Sequence, residues 1–88
     1  MLNRELDVTN ELGIHARVAN KITKCCGGFD SRIEAVGFGK KLNLKNVLNV
    51  MILNVKCGEK LALEIEGEDE EQAYEALKDL FAANFGEK

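Results

Sequence analysis

The chain predicts an α+β fold: an open-faced two-layer sandwich, with a four-stranded, mostly antiparallel sheet covered on one face by three helices. Three observations lead there. Four segments place apolar residues at every second position, the period of a half-buried strand. Two longer segments repeat them at helical spacing, and a third, shorter apolar run follows a good N-capping residue. The order is strand, helix, strand, strand, helix, strand, helix; strands with one apolar face suit an antiparallel sheet with one side in water.

In residues 2–9, Leu2, Leu6 and Val8 alternate with Asn3, Glu5, Asp7 and Thr9. Arg4 interrupts the inner row, so it belongs at a sheet edge or snorkels. Residues 10–14 form a loop in which Gly13 can take backbone angles other residues resist. The first helix follows. Val18, Ala19, Ile22, Cys25 and Cys26 make its apolar face, Arg17, Asn20, Lys21 and Lys24 its polar face, and Gly27-Gly28 ends it.

Phe29, Ser31, Ile33 and Ala35 alternate with Asp30, Arg32 and Glu34 as the second strand. Gly37-Phe38-Gly39 reverses the chain into a third strand, 40–44, with Leu42 and Leu44 inward, giving a hairpin. Asn46 then caps a short helix over 47–54. Six of those eight residues are apolar, more than one buried face can hide. Three readings stay open here: a fully buried segment, a strand, or a helix that leaves Val47, Leu48 and Met51 exposed for a partner.

Residues 57–59 turn, and 60–66 form the clearest strand, with Leu61, Leu63 and Ile65 on one side. Asp69 with Gln72 resembles a capping box, and the acidic run 68–71 suits the positive end of the last helix. Ala73, Ala76, Leu77, Leu80, Phe81 and Asn84 carry its stripe to Phe85-Gly86, after which the last residues are expected to fray.

Eighty-eight residues suffice for one core, so residues 1–88 are expected to form a single domain. Hydrophobic residues at 45% and charged ones at 31% are ordinary globular usage. A net charge of −3 argues against nucleic acid as the main ligand. Charge is nevertheless uneven: the first helix is basic and residues 64–75 are acidic, which points to proteins or small anions as partners. No window approaches the roughly 18 apolar residues of a membrane span, and no signal-peptide pattern opens the chain. Three cysteines, an odd number, give no disulfide framework, so a reducing cytoplasm is the expected location.

The chemistry concentrates at His15, the single histidine, between the Gly13 turn and the first helix. Residue types alone allow a surface or capping role. They also allow a nucleophile, because a helix N-terminus offers backbone N–H groups and a positive dipole end to an anion. Arg17 adds a permanently charged fork suited to phosphate. The backbone of Ala16, Arg17 and Val18 would form the cradle.

Asn10-Glu11-Leu12-Gly13-Ile14-His15-Ala16-Arg17, followed by Ala19, resembles the active-site signature of the HPr family, the histidine-containing phosphocarriers of the bacterial sugar phosphotransferase system. The likeness covers nearly the whole chain, including its length, its element order, Gly39-Lys40 and the run Glu66-Gly67-Glu68-Asp69-Glu70. The resemblance implies a phosphoryl carrier that is not itself an enzyme and needs no cofactor. His15 would accept the group on Nδ1 from phosphoenolpyruvate-dependent Enzyme I, and Arg17 would neutralise its oxygens. His15 would then pass it to a sugar-specific IIA domain. Val47, Leu48 and Met51 match the surface with which family members dock both partners. A monomer is expected, with neither nucleic acid nor membrane insertion.

Two positions depart from the family pattern. Val18 stands where proline is usual; proline in a first helical turn forgoes a spare donor, so valine still permits the helix and costs some preorganisation. Asn46 stands where many members carry a kinase-regulated serine, keeping the capping oxygen without the hydroxyl. Rival readings are a regulatory HPr-like protein with no part in sugar uptake, a non-enzymatic small-ligand module, and a metal site of Cys25, Cys26, Cys57 and His15. The last lacks Cys-x-x-Cys spacing, and no metal is expected.

Overall fold

Four strands form one sheet: β1 (Leu2–Asp7), β2 (Arg32–Gly37), β3 (Lys40–Asn43) and β4 (Lys60–Glu66). Their spatial order is β1-β4-β2-β3, and every neighbouring pair is antiparallel. Helices α1 (Ala16–Gly27), α2 (Val47–Leu53) and α3 (Glu70–Ala82) join them, and a last helical turn spans Asn84–Gly86. The computed structural model describes residues 1–37 and 39–86. This is the open-faced sandwich the alternation predicts.

Register explains the layers. Leu6 faces Leu61, Ile33 faces Ile65 and Ala35 faces Leu63, so one sheet face is continuously apolar. It packs in a single core with Val18, Ala19, Ile22 and Cys26 of α1, Val50 and Leu53 of α2, and Ala73, Leu77 and Phe81 of α3. The other face carries paired charges, across strands for Lys60 with Asp7, Lys41 with Glu64 and Arg32 with Glu66, and along β2 for Arg32 with Glu34. Such solvent-exposed pairs contribute at most about 1 kcal/mol each, so burial and not charge holds the sheet to its helices. Arg4 lies on edge strand β1, with its guanidinium 5.4 Å from the Tyr74 ring centre.

Several boundaries move. β1 stops at Asp7, two residues before the end its alternation suggests. β2 begins at Arg32, not Phe29, because the Asp69 carboxylate accepts the amides of Asp30 and Ser31 (both 2.9 Å) before they can join a strand. The same bonds undo the expected capping box. Asp69 does stand at the N-cap of α3 but gives its helix no side-chain bond; Glu70 instead accepts the Gly67 N–H at 3.2 Å. β3 ends at Asn43, and buried Leu44 still donates its N–H to Ile33 C=O at 3.0 Å.

α1 ends at Gly27 and Gly28 follows in the right-handed region (φ −81°), so the glycine pair stops the helix without a left-handed turn. The expected 47–54 run is a helix over Val47–Leu53, with Asn54 as its left-handed C-cap, which removes the strand reading; it is also only partly buried, which removes the fully buried one. After α3 the chain stays anchored. Phe85 is buried edge-on against Phe81 with ring centres 4.7 Å apart, and Lys21 Nζ donates to its C=O at 2.6 Å. Phe38, at the hairpin reversal, and Glu87 and Lys88, where fraying is expected, lie outside the described residues.

Candidate phosphoacceptor site

His15 is the N-cap residue of α1, with extended backbone (φ −113°, ψ −179°). Its C=O accepts the Ala19 N–H at 2.8 Å, the first rung of the helix ladder. The amides of Ala16, Arg17 and Val18 therefore precede the ladder, at the positive end of the helix dipole. No acidic residue occupies that first turn to compete for them. The imidazole makes no side-chain capping bond. The ring is half-buried, and Nε2 is shielded from solvent. Arg17 is exposed, whereas the Val18 side chain points wholly into the core, so Val18 can offer an anion only its backbone.

The loop before His15 is braced from three sides. The Asn10 side chain, itself buried, donates from Nδ2 to the Gly13 C=O at 2.6 Å, and the Gly13 N–H returns to the Asn10 C=O at 3.0 Å. The Ile14 N–H donates to the Val55 C=O at 2.9 Å while its side chain enters the core. Gly13 has φ +68°, and a Cβ there would lie 2.8 Å from both Lys56 Cα and Val55 O. The segment following α2 thus acts as a rigid stop behind the histidine loop. Leu12 alone points out of this turn among its large apolar side chains, 75% exposed.

Beside α1 packs α2. Asn46 caps it as its residue type predicts, Oδ1 accepting the Leu48 N–H at 2.9 Å. Val50 and Leu53 point into the core and Val47 is half-buried against it, so Val47 is poorly placed for the docking patch. Leu48 and Met51 are exposed, and Ile52, which the sequence reading left out, is exposed as well at 62%. Helical spacing carries the missed signal: Leu48 and Ile52 are four residues apart and share a face.

The cysteines do not converge on His15. Cys26 is buried in α1, and burial pushes its thiol up to about 12; burial also raises Cys25, while Cys57 is exposed in the loop after α2. Among the described residues no group of three or more His, Cys, Asp or Glu side chains is placed to hold a metal ion. No helix among them is long and apolar enough to cross a membrane.

Comparison with known proteins agrees with this geometry. The family model described as PTS HPr component phosphorylation site matches residues 2–83. The phosphocarrier protein HPr of Cupriavidus necator is 38% identical over 87 residues, covering 99% of this chain and 98% of the relative. That of Lysinibacillus sphaericus is 44% identical over 80 residues, 91% of each chain. Among solved structures, HPr-C-His from Thermoanaerobacter tengcongensis superposes with a TM-score of 0.92 at 36% identity, covering 100% of this chain and 99% of that one.

Proposed function

Because this chain belongs to the HPr family of phosphocarrier proteins, we propose that His15 is its phosphoacceptor, loaded by Enzyme I at the expense of phosphoenolpyruvate and unloaded onto a IIA domain. The observation that carries the reading is the position of His15 at the N-cap of α1, beside the first-turn amides that precede the helix ladder. A ring so placed can hold a phosphoryl group against the amides of Ala16, Arg17 and Val18, with Arg17 supplying positive charge. Phosphoryl transfer asks mainly for positioning and charge neutralisation, and these parts supply both.

Shielding of Nε2 from solvent supports Nδ1 as the reacting nitrogen. In the neutral imidazole with its proton on Nε2, the Nδ1 lone pair attacks the donor's phosphorus. A new N–P bond forms as the donor's breaks, and the bonding pair stays with the donor. The second transfer repeats this with His15 as the leaving ring. One segment of one chain carries every part, so a single copy suffices for the transfer; a cytoplasmic monomer is the form proposed. Leu48, Met51 and Ile52 form the core of the docking face, with Val47 at its margin. Asn46 lacks a hydroxyl, so serine-kinase control at this position is absent.

Radiolabelled phosphoenolpyruvate with purified Enzyme I tests this directly. Acid-labile, base-stable label on the wild-type chain and none on His15→Ala is the expected result; equal labelling of both removes His15 from its role.

A further inference from the structure

Asn84, Phe85 and Gly86 take left-handed backbone in succession, with φ of +52°, +58° and +72°. Glycine adopts such angles freely and asparagine tolerates them, but for a bulky side chain they are an outlier, and a run of them is rarer still. Strained backbone of this kind persists where its surroundings over-determine it. Three contacts do so here. The Phe85 ring is buried edge-on to Phe81, the Thr9 hydroxyl donates to Asn84 Oδ1 at 2.5 Å, and Lys21 Nζ donates to the Phe85 C=O at 2.6 Å. Thr9 lies six residues before His15 and Lys21 six after it. Two consecutive residues of one turn therefore hold both ends of the segment that carries the histidine.

Resting on the function proposed for His15, we propose that this turn is a clasp, and that Thr9, Lys21 and Asn84 are positioning residues for phosphoryl transfer. They fix the span 9–21, so that the imidazole and the amides of Ala16, Arg17 and Val18 keep one mutual geometry while the group arrives and leaves.

The ties from the segment after α2 run out where the helix starts. Val8 exchanges backbone bonds with Gly58 and Glu59 at 2.8 and 2.9 Å, and the Ile14 N–H goes to Val55. Beyond Ile14, α1 meets the core through Val18, Ala19, Ile22 and Cys26. Apolar packing is non-directional, whereas a charged hydrogen bond has a preferred line. Lys21 stands one turn after Arg17 on the same face. Anchoring its ammonium at a fixed carbonyl sets the rotation of α1, and with it the aim of the first-turn amides. The Thr9 bond sets the entry of the loop in the same way. A misplacement of about 1 Å can cost on the order of a hundredfold in rate, so a clasp acts on the transfer step and leaves docking alone.

Single-turnover transfer from purified, phosphorylated Enzyme I, followed over a range of carrier concentrations, separates the maximal rate from the half-saturating concentration. The variants are Thr9→Val, Asn84→Gly, the two combined, and Lys21→Met, each beside a thermal melt. Asn84→Gly decides most. Glycine relieves the left-handed backbone while it removes the acceptor, so the melting temperature should stay within about 4 °C of wild type. Its maximal rate is expected to fall about three- to tenfold at an unchanged half-saturating concentration. Thr9→Val should lose as much, and the combination no more than either alone. Thr9→Ser and Lys21→Arg, which keep the donors, should retain the rate that Thr9→Val and Lys21→Met lose. A wild-type maximal rate in Asn84→Gly or Lys21→Met overturns the inference. So does a loss that follows the melting temperature across the variants, or one that appears in the half-saturating concentration alone. A wild-type chain that takes no phosphoryl group overturns the function of His15 instead, so the two failures are distinguishable.

Discussion

The carboxylate of Asp69 grips Ser31 twice, accepting both its backbone N–H at 2.9 Å and its hydroxyl, and so ties the start of α3 to the approach of β2. The Ser31 hydroxyl first, and then the Asp30 amide, hold the Asp69 carboxyl below the usual carboxylate range. A depressed folded-state value means that the stabilisation is present above the unfolded carboxylate value, about 3.9, and is lost as pH falls through the lower folded value. Asp69→Asn should therefore lower the urea midpoint at neutral pH and flatten its fall as pH drops below about 5. A variant whose acid response equals that of wild type would remove Asp69 from this account.

Gly13→Ala should weaken both the fold and the carrier. The left-handed backbone costs a non-glycine residue about 1–2 kcal/mol, and the new methyl meets backbone atoms that cannot move aside cheaply. Destabilisation of at least about 2 kcal/mol by urea denaturation is expected, with slower labelling of His15 under conditions where the variant remains folded. Unchanged stability would mean that the loop can retreat from Val55 and Lys56.

Val18→Pro should retain the fold, since Val18 lies in the first turn of α1, where a missing N–H costs little. Preorganisation of that turn should outweigh the loss of the Val18 amide from the cradle and speed single-turnover phosphorylation of His15 about two- to fivefold. An inert wild type rescued by proline would show that valine abolishes transfer and does not merely slow it.

The three thiols should separate by burial. Iodoacetamide near pH 8 should modify Cys57 first and Cys25 slowly, and leave Cys26, raised to about 12, intact until the chain unfolds. Mass spectrometry of native and urea-treated protein reads this directly; early alkylation of Cys26 would mean that α1 opens locally.

What could be read from residues was whatever depends on neighbours in sequence. The strict alternation Leu61, Leu63, Ile65 placed β4 at 60–66, where it lies. Asn46 capped α2 as an asparagine before an apolar run should. The boundaries that moved are those set at a distance. The amides of Asp30 and Ser31 go to Asp69, 39 and 38 residues away, and no local pattern announces that bond. The site divides in the same way. His15 at the start of a helix was legible from Gly13 and the apolar stripe of α1. The support of its loop by Val55 and Lys56 was not, because it comes from a segment some 40 residues further along.

A ring mounted at a single helix end, with one nitrogen turned inward, presents only one doorway to the outside. On the function proposed for His15, giver and receiver would enter by it in turn, with no ternary assembly passing the group straight through. Throughput then depends on how quickly each visitor leaves. An excess of either, or of a receiver already loaded, would throttle the relay by occupying the threshold.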